Sequence, residues 1–356
     1  MSRQSSRSDH RVLITGGAGF IGTNLADRLL SLGRGVRVYD SLVRRGTERN
    51  LQWLKARYGN RLDVVCADIR DAAAVRQAVT DVGIVFHFAA QVAVTTSLEA
   101  PRDDFSVNAA GTLNLLEALR DAGSGAGLIF TSTNKVYGAL DDVVLSASDT
   151  RYMPAAELAR SGIDERRPLS FHSPYGCSKG AADQYVLDYA RSFGLPNAVF
   201  RMSCIYGPHQ HGTEDQGWVA HFLIRAIEGR MISIYGDGGQ VRDLLYVDDL
   251  VAALLRAEEC LPEIAGEAFN IGGGVCNTTS LNELLDRIGD LRGATPHTAY
   301  GEWRVGDQRW YVSDNGKFAR MTGWKPDVTV ADGIARLHDW LVDRHRSAST
   351  LQAAAE

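Results

Sequence analysis

The sequence predicts an α/β protein: a doubly wound parallel sheet with a smaller, interleaved C-terminal lobe. Three observations carry this. From residue 11, short apolar runs alternate with segments of helical period. The runs lack the polar alternation of a half-exposed strand, so helices should cover both faces of their sheet. Beyond about residue 200 the pattern loosens into turns such as "YGPHQHG", "YGDGGQ" and "NIGGG", which suit a second, smaller lobe.

Taken in order, the predicted strands are "RVLIT", "VRVYD", "LDVVCAD", "IVFHFAA", "GLIFTST" and "NAVFRM". Helices are expected near residues 20–32, 47–57, 71–79, 102–122 and 174–194. Two later runs, "LLYVDD" and "EAFNIGG", read as strands that rejoin the sheet. The division that follows is residues 11–202 with 242–274 in one domain, and 203–241 with 275–345 in the other.

Bulk properties narrow the functional classes. The chain has 356 residues, 45% hydrophobic and 23% charged, enough for a large core. Its net charge of -5 comes from interspersed acids and bases without a basic stripe, which argues against nucleic acid. The five cysteines form no CxxC pair; no metal is expected, and a reduced, cytoplasmic setting fits. No run approaches the ~18 apolar residues of a membrane span, and "MSRQSSRSDH" has no apolar leader core. Both ends, including "TLQAAAE", should fray.

The first strand runs into "GGAGFIG", which places Gly16, Gly19 and Gly22 at the start of the first helix, with Phe20 and Ile21 between them. Glycines there permit a tight turn and close backbone approach, and a helix N-terminus offers free N–H groups to a pyrophosphate. Asp40 ends the second strand, where a carboxylate accepts from adenosine ribose hydroxyls and repels a 2′-phosphate. The cofactor expected is therefore NAD rather than NADP. Arg44 and Arg45 follow in the next loop, where they either weaken that choice slightly or stand as solvated charges. Asp68, with Ile69, stands where the third strand ends and either reaches adenine or caps the next helix. Ala89 and Ala90 close the fourth strand at the same edge.

Tyr175 and Lys179 in "SPYGCSKG" lie one helical turn apart on one face. A lysine there can lower the tyrosine pKa, so that phenolate exchanges a proton with an alcohol near neutral pH. "TSTNKVYG" sets Thr131, Ser132, Thr133, Asn134 and Lys135 at the carboxyl end of a buried strand, facing either a turn or a ligand.

These motifs together resemble the extended short-chain dehydrogenases/reductases of the sugar-nucleotide class, with a Rossmann-type sheet, over about residues 11–345. The resemblance implies that Thr133 hydrogen-bonds the reacting sugar hydroxyl beside Tyr175. It also implies a cofactor-side role for Asn108, with which satisfying a local helix kink is compatible. Relatives that make 4-keto-6-deoxy sugars carry an Asp-Glu pair where this chain has Asn134 and Lys135. Neither residue can act as a carboxylic acid, which disfavours dehydration; an epimerase needs no such pair. Lys135 itself either contacts substrate, points outward or joins a salt bridge.

The same resemblance implies that Arg242, in "GDGGQVRDLLYVDD", and Arg304, in "RVGDQ", hold a nucleoside diphosphate, as two guanidinium forks suit a pyrophosphate. Asp307 would hold a ribose hydroxyl or Arg304, and internal ion pairs are the alternative for either arginine. The longer stretches "STNKVYG", "GTEDQGW" and "GDQRWYVSD" most resemble the CDP-paratose 2-epimerases within this family. That implies NAD-dependent inversion at C2 of a CDP-linked dideoxyhexose through a transient 2-keto sugar. His211 and the insert within residues 139–170 would bear on which sugar is natural. The runner-up is a UDP-hexose 4-epimerase, against which Val92 counts mildly; a non-catalytic NAD-binding regulator is the remote reading. A homodimer or homotetramer is expected through the helices at 102–122 and 174–194, with Leu113, Leu116, Leu119, Val186 and Leu187 supplying apolar surface.

Overall fold

The computed structural model describes residues 10–304 and 306–353, with side chains through residue 346. Seven parallel strands form the central sheet: β1 (Arg11–Thr15), β2 (Val36–Asp40), β3 (Leu62–Cys66), β4 (Val82–His87), β5 (Gly127–Thr133), β6 (Asn197–Met202) and β7 (Ala268–Ile271). Their spatial order is β7-β6-β5-β4-β1-β2-β3. The order reverses between β1 and β4, so the crevice at their carboxyl ends is the natural ligand position.

Helices cover both faces, as the unbroken apolar runs predict. One face packs Val12, Ile14 and Phe86 against Leu25 and Leu29 of the helix Phe20–Ser31, and against Leu250 and Leu254 of the helix Val247–Glu259. The other packs Leu13, Val85 and Phe130 against Leu115 and Leu119 of Gly111–Ala122, and Val186 of Ser173–Phe193. Burying each such side chain contributes about 1.5–3 kcal/mol, so the two layers position the strand ends firmly.

The smaller lobe has its own sheet. Val241–Tyr246 pairs in parallel with Cys204–Tyr206 and Trp310–Tyr311, and antiparallel with Thr278–Ser280. This corrects the sequence reading: "EAFNIGG" supplies the edge strand β7, but the "LLYVDD" region does not rejoin the main sheet. Its strand ends at Tyr246, and the helix that follows returns to the main core. A separate cluster, including Tyr206, Phe222, Leu223, Ile234, Leu284 and Leu337, fills the lobe.

Residues 350–353 continue the helix Val330–Ala353, where the sequence reading expects a frayed tail. The remaining expectation of frayed ends falls on residues 1–9 and 354–356, outside the described residues. No described helix is long and apolar enough to cross a membrane. The residues expected at a subunit contact divide. Leu116, Leu119 and Val186 are spent on the protomer's own core, whereas Leu113 and Leu187 are only partly buried. Phe105, Tyr185 and Phe193, which the sequence reading did not single out, are large exposed apolar side chains on these helices, at 58%, 47% and 49% exposure.

Candidate active site

Two adjoining cavities of about 390 and 400 Å³ meet at Phe20, Ile21, Phe88, Ala90, Val92, Gln210 and Gln216. The second lies at the β1–β4 reversal. Gly16 turns there with φ +68°, and a Cβ on it would stand 2.7 Å from the Ala89 nitrogen, so only glycine lets the two strand ends meet. A Cβ on Gly22 would stand 2.4 Å from the Gly16 carbonyl oxygen, which fixes how closely helix and turn pack. Gly19 begins the first helix without any side-chain cap, leaving its first N–H groups available.

Asp40 closes β2 and accepts from the Ala18 and Leu42 N–H groups at 3.0 and 2.9 Å. Burial pushes its carboxyl up, opposed by those same donors. Asp68 and Ile69 line the same cavity. The helix-cap alternative for Asp68 is taken instead by Asp71, which accepts from Ala73 and Ala74, while Asp68 is held by Arg70 at 2.7 Å. The glycine cradle, uncapped helix start and Asp40 are a donor and acceptor set that fits NAD.

Arg44 is exposed, as the solvated-charge reading expects, and also reaches across the mouth to donate to Gln216 Oε1 at 2.6 Å. His211 also belongs here. It lines this cavity, packs beside Gly46 and meets Asn50 at 3.1 Å. The neighbouring His209 stacks between Trp53 and Trp340, at 4.2 and 5.2 Å.

Asn108 does not line either cavity. It is fully buried in a π-helical turn, Ser106–Ala110, and clamps the chain after β4. Its Oδ1 accepts from Gln91 N at 2.9 Å; its Nδ2 faces Gln91 O at 3.0 Å, Asp104 Oδ1 at 3.1 Å and Ser178 Oγ at 3.0 Å. The kink-satisfying role describes this placement.

The other cavity holds the carboxyl end of β5 with the start of the helix Ser173–Phe193. Thr133, Asn134, Tyr175 and Lys179 all line it. Thr133 caps the turn that follows, accepting from Lys135 N at 3.2 Å, so the polar run serves the turn and faces the cavity at once. Burial pushes the Tyr175 phenol up to about 12; a hydrogen bond with Thr133 and the charge of Arg44 oppose this. Burial pushes Lys179 down to about 7, while its ammonium donates to Thr131 O at 2.6 Å. Burial is the largest influence on both groups, and on Tyr175 it acts against the lowering that the sequence reading expects.

Asn134 donates to Gln308 Oε1 at 3.2 Å, and Gln308 donates on to Gly138 O at 2.6 Å. Gln308 is fully buried and ties the reactive strand end to the second lobe. Sequence reasoning missed it, because its only signal is an amide inside "GDQRW". Arg242, Arg304 and Asp307 line the cavity too; Arg242 forms the internal ion pair named as its alternative, and only the partner of Arg304 differs from expectation. Asp307 holds Arg242 at 2.7 Å, with Lys135 3.8 Å away, not Arg304. Arg304 instead lies near Glu214 and Asp215, at 3.7 and 3.5 Å, over the Tyr235 ring. Lys135 points inward, donating to Gly306 O at 3.1 Å. No residue of the 139–170 insert lines either cavity; its hairpin, Leu145–Ala147 with Tyr152–Pro154, packs outside. Among the described residues no group of three His, Cys, Asp or Glu is arranged to hold a metal ion.

The chain is 44% identical over 337 residues to the CDP-paratose 2-epimerase of Salmonella typhi, covering 93% of this chain and 98% of that one. The UDP-glucose 4-epimerase of Thermotoga maritima, solved with UDP-glucose, superposes with a TM-score of 0.79 at 31% identity, over 94% of this chain and 99% of that one. A dTDP-glucose 4,6-dehydratase from Streptomyces venezuelae, solved with NAD bound, gives 0.79 at 32% identity, over 94% and 97%. Residues 12–272 match one family description throughout, and with it the glycine cradle, Asp40 and the Tyr175–Lys179 helix find their place: the chain belongs to the NAD dependent epimerase/dehydratase family.

Proposed function

We propose that the protein inverts C2 of a CDP-linked hexose, a 3,6-dideoxyhexose in the first instance, through a transient 2-keto sugar. The observation that carries the reading is the reactive corner itself. Thr133 and Tyr175 supply one proton-exchanging pair, and Asn134 and Lys135 stand where elimination would need carboxyl groups. The 44% identity to a CDP-paratose 2-epimerase supports the base and the position of inversion.

In this reading Tyr175 takes the proton of the sugar hydroxyl and later returns it, and Thr133 orients that hydroxyl. Lys179, anchored on Thr131 O, supplies positive charge beside the phenol. Gly16, Gly19, Phe20, Ile21 and Gly22 seat the cofactor pyrophosphate, Asp40 its ribose, Asp68 and Ile69 its adenine, and Ala89 and Ala90 the wall beneath; Asn108 clamps the segment that follows at Gln91. When bound in this cradle, NAD would supply reversible hydride acceptance at the sugar carbon. Arg242 and Arg304, with Asp307, address the nucleoside diphosphate.

The lobes divide as 11–202 with 247–274 for the cofactor, and 203–246 with 275–345 for the substrate, the strand Val241–Tyr246 having moved to the second. We place the enzyme in the cytoplasm as a homodimer or homotetramer. The test is competition between nucleotide sugars. A CDP-hexose should be turned over with a higher kcat/KM than its UDP counterpart, because a site built for the cytosine amino group leaves acceptors unpaired against uracil. Equal values with inversion at C4 would favour a UDP-hexose 4-epimerase.

A further inference from the structure

Three cations face the substrate cavity beyond the Tyr175–Lys179 pair, and their local charge balance differs. Arg304 lies near two carboxylates, Glu214 and Asp215, so its surroundings carry net negative charge. Arg242 and Lys135 share one carboxylate, Asp307, at 2.7 and 3.8 Å. The groups packed around Lys135 are Arg242 and the half-buried Cys204 thiol from the lobe sheet, Asp307 with the Gly306 carbonyl from the loop, and Thr133 with Asn134 from the strand end. Burial raises the Cys204 pKa, so that thiol stays neutral and does not cancel the surplus. The positive surplus of this cavity therefore lies at Lys135 and Arg242, not at Arg304.

Position adds a second argument, which rests on the C2-epimerase reading. In a nucleotide sugar C2 adjoins C1, the carbon that carries the phosphate, whereas C4 lies across the ring. When C2 is presented to Thr133 and Tyr175, the sugar-linked phosphate must lie close to Thr133. The Lys135 backbone N–H touches the Thr133 hydroxyl at 3.2 Å, and its ammonium lies inside the cavity wall. We propose that Lys135, with Arg242, binds the sugar-linked phosphate of the substrate and thereby sets C2 rather than C4 against Tyr175. Asp307 holds the two cations in place until the phosphate arrives. Arg304 keeps an outer role, stacked 3.9 Å over Tyr235 toward the nucleoside end.

The amine carries a signature that a purely structural lysine would lack. Burial and Arg242 push Lys135 down to about 8, against the pull of Asp307. It is charged below that pH in the free enzyme and loses its charge above it, so phosphate affinity should fall as pH rises through about 8. Lys179, pushed down to about 7, titrates in the same cavity; an arginine at 135 removes only the Lys135 step.

The experiment is calorimetric binding of CDP and of cytidine to the purified holoenzyme and to Lys135→Met and Lys135→Arg. Lys135→Met should weaken CDP by about 10–100-fold, the loss of one charge-assisted contact, and leave cytidine unchanged. Lys135→Arg should retain CDP binding and lose the fall through pH 8 that the wild type shows. CDP affinity unchanged in Lys135→Met would overturn the proposal. Should that variant not fold, identical pH profiles for wild type and Lys135→Arg would overturn it equally. A wild type that binds neither CDP nor any other nucleoside diphosphate would overturn instead the nucleotide-sugar reading beneath it.

Discussion

Replacing Asn108 by alanine separates two roles for a residue that the family resemblance places at the cofactor. In the structure it touches no cavity, and its amide is consumed by Gln91, Asp104 and Ser178. Alanine removes two bonds to the Gln91 backbone, each worth about 0.5–1.5 kcal/mol, and, since the amide has only two hydrogens, one more shared between Ser178 Oγ and the Asp104 carboxylate, worth about 1.5–3 kcal/mol. Asp104 keeps a bond from Ser178, and partial relaxation lets other donors approach, so we expect a net loss of about 3–4 kcal/mol. Urea denaturation of the purified protein measures it. Asn108→Asp should cost more, because it discards the donors and sets a second carboxylate beside Asp104. Bound NAD should decline only in proportion to the unfolded fraction. A stability change below about 1 kcal/mol combined with loss of NAD would refute the clamp and restore a direct cofactor contact.

Tyr175→Phe should lower turnover by roughly 10²–10⁴-fold while nucleotide-sugar binding and NAD content persist; near-normal rates would remove Tyr175 from the chemistry. Protein purified without added cofactor should release NAD(H) on denaturation, and Gly16→Ala should abolish that, since its Cβ would meet the Ala89 nitrogen at 2.7 Å; NADP(H) as the main species would contradict the Asp40 argument. Sedimentation at micromolar concentration should show a dimer or tetramer, and Tyr185→Glu should weaken it; a wild-type monomer would dismiss the helix-face interface.

Local chemistry made the fold legible. The runs "RVLIT", "VRVYD", "GLIFTST" and "NAVFRM" coincide with strands because fully covered parallel strands need uninterrupted apolar residues. The glycine triad was readable for a similar reason: the turn, the helix start and the packing of Gly22 on Gly16 are all near in sequence. Pairings between distant segments were not. Val241–Tyr246 is as apolar as a main-sheet strand, and only its neighbours at residues 204–206, 278–280 and 310–311 decide that it belongs elsewhere. The inward turn of Lys135 depends on Gly306 and Asp307, brought from the far end of the chain. Arg304 exchanged its expected partner for the same reason, because Glu214 and Asp215 approach it only in the folded lobe. Periodicity reports which face is apolar; it does not report which charge answers which.

The central claim, hydride removal and return at C2 by one bound cofactor, is tested most directly by isotope tracing. A CDP-hexose carrying deuterium at C2 is turned over in ordinary water and the product read by NMR. The account predicts a C2-inverted product that retains its deuterium at C2. Exchange of that deuterium for solvent hydrogen would indicate enolisation instead, and inversion at C4 with C2 untouched would contradict the account.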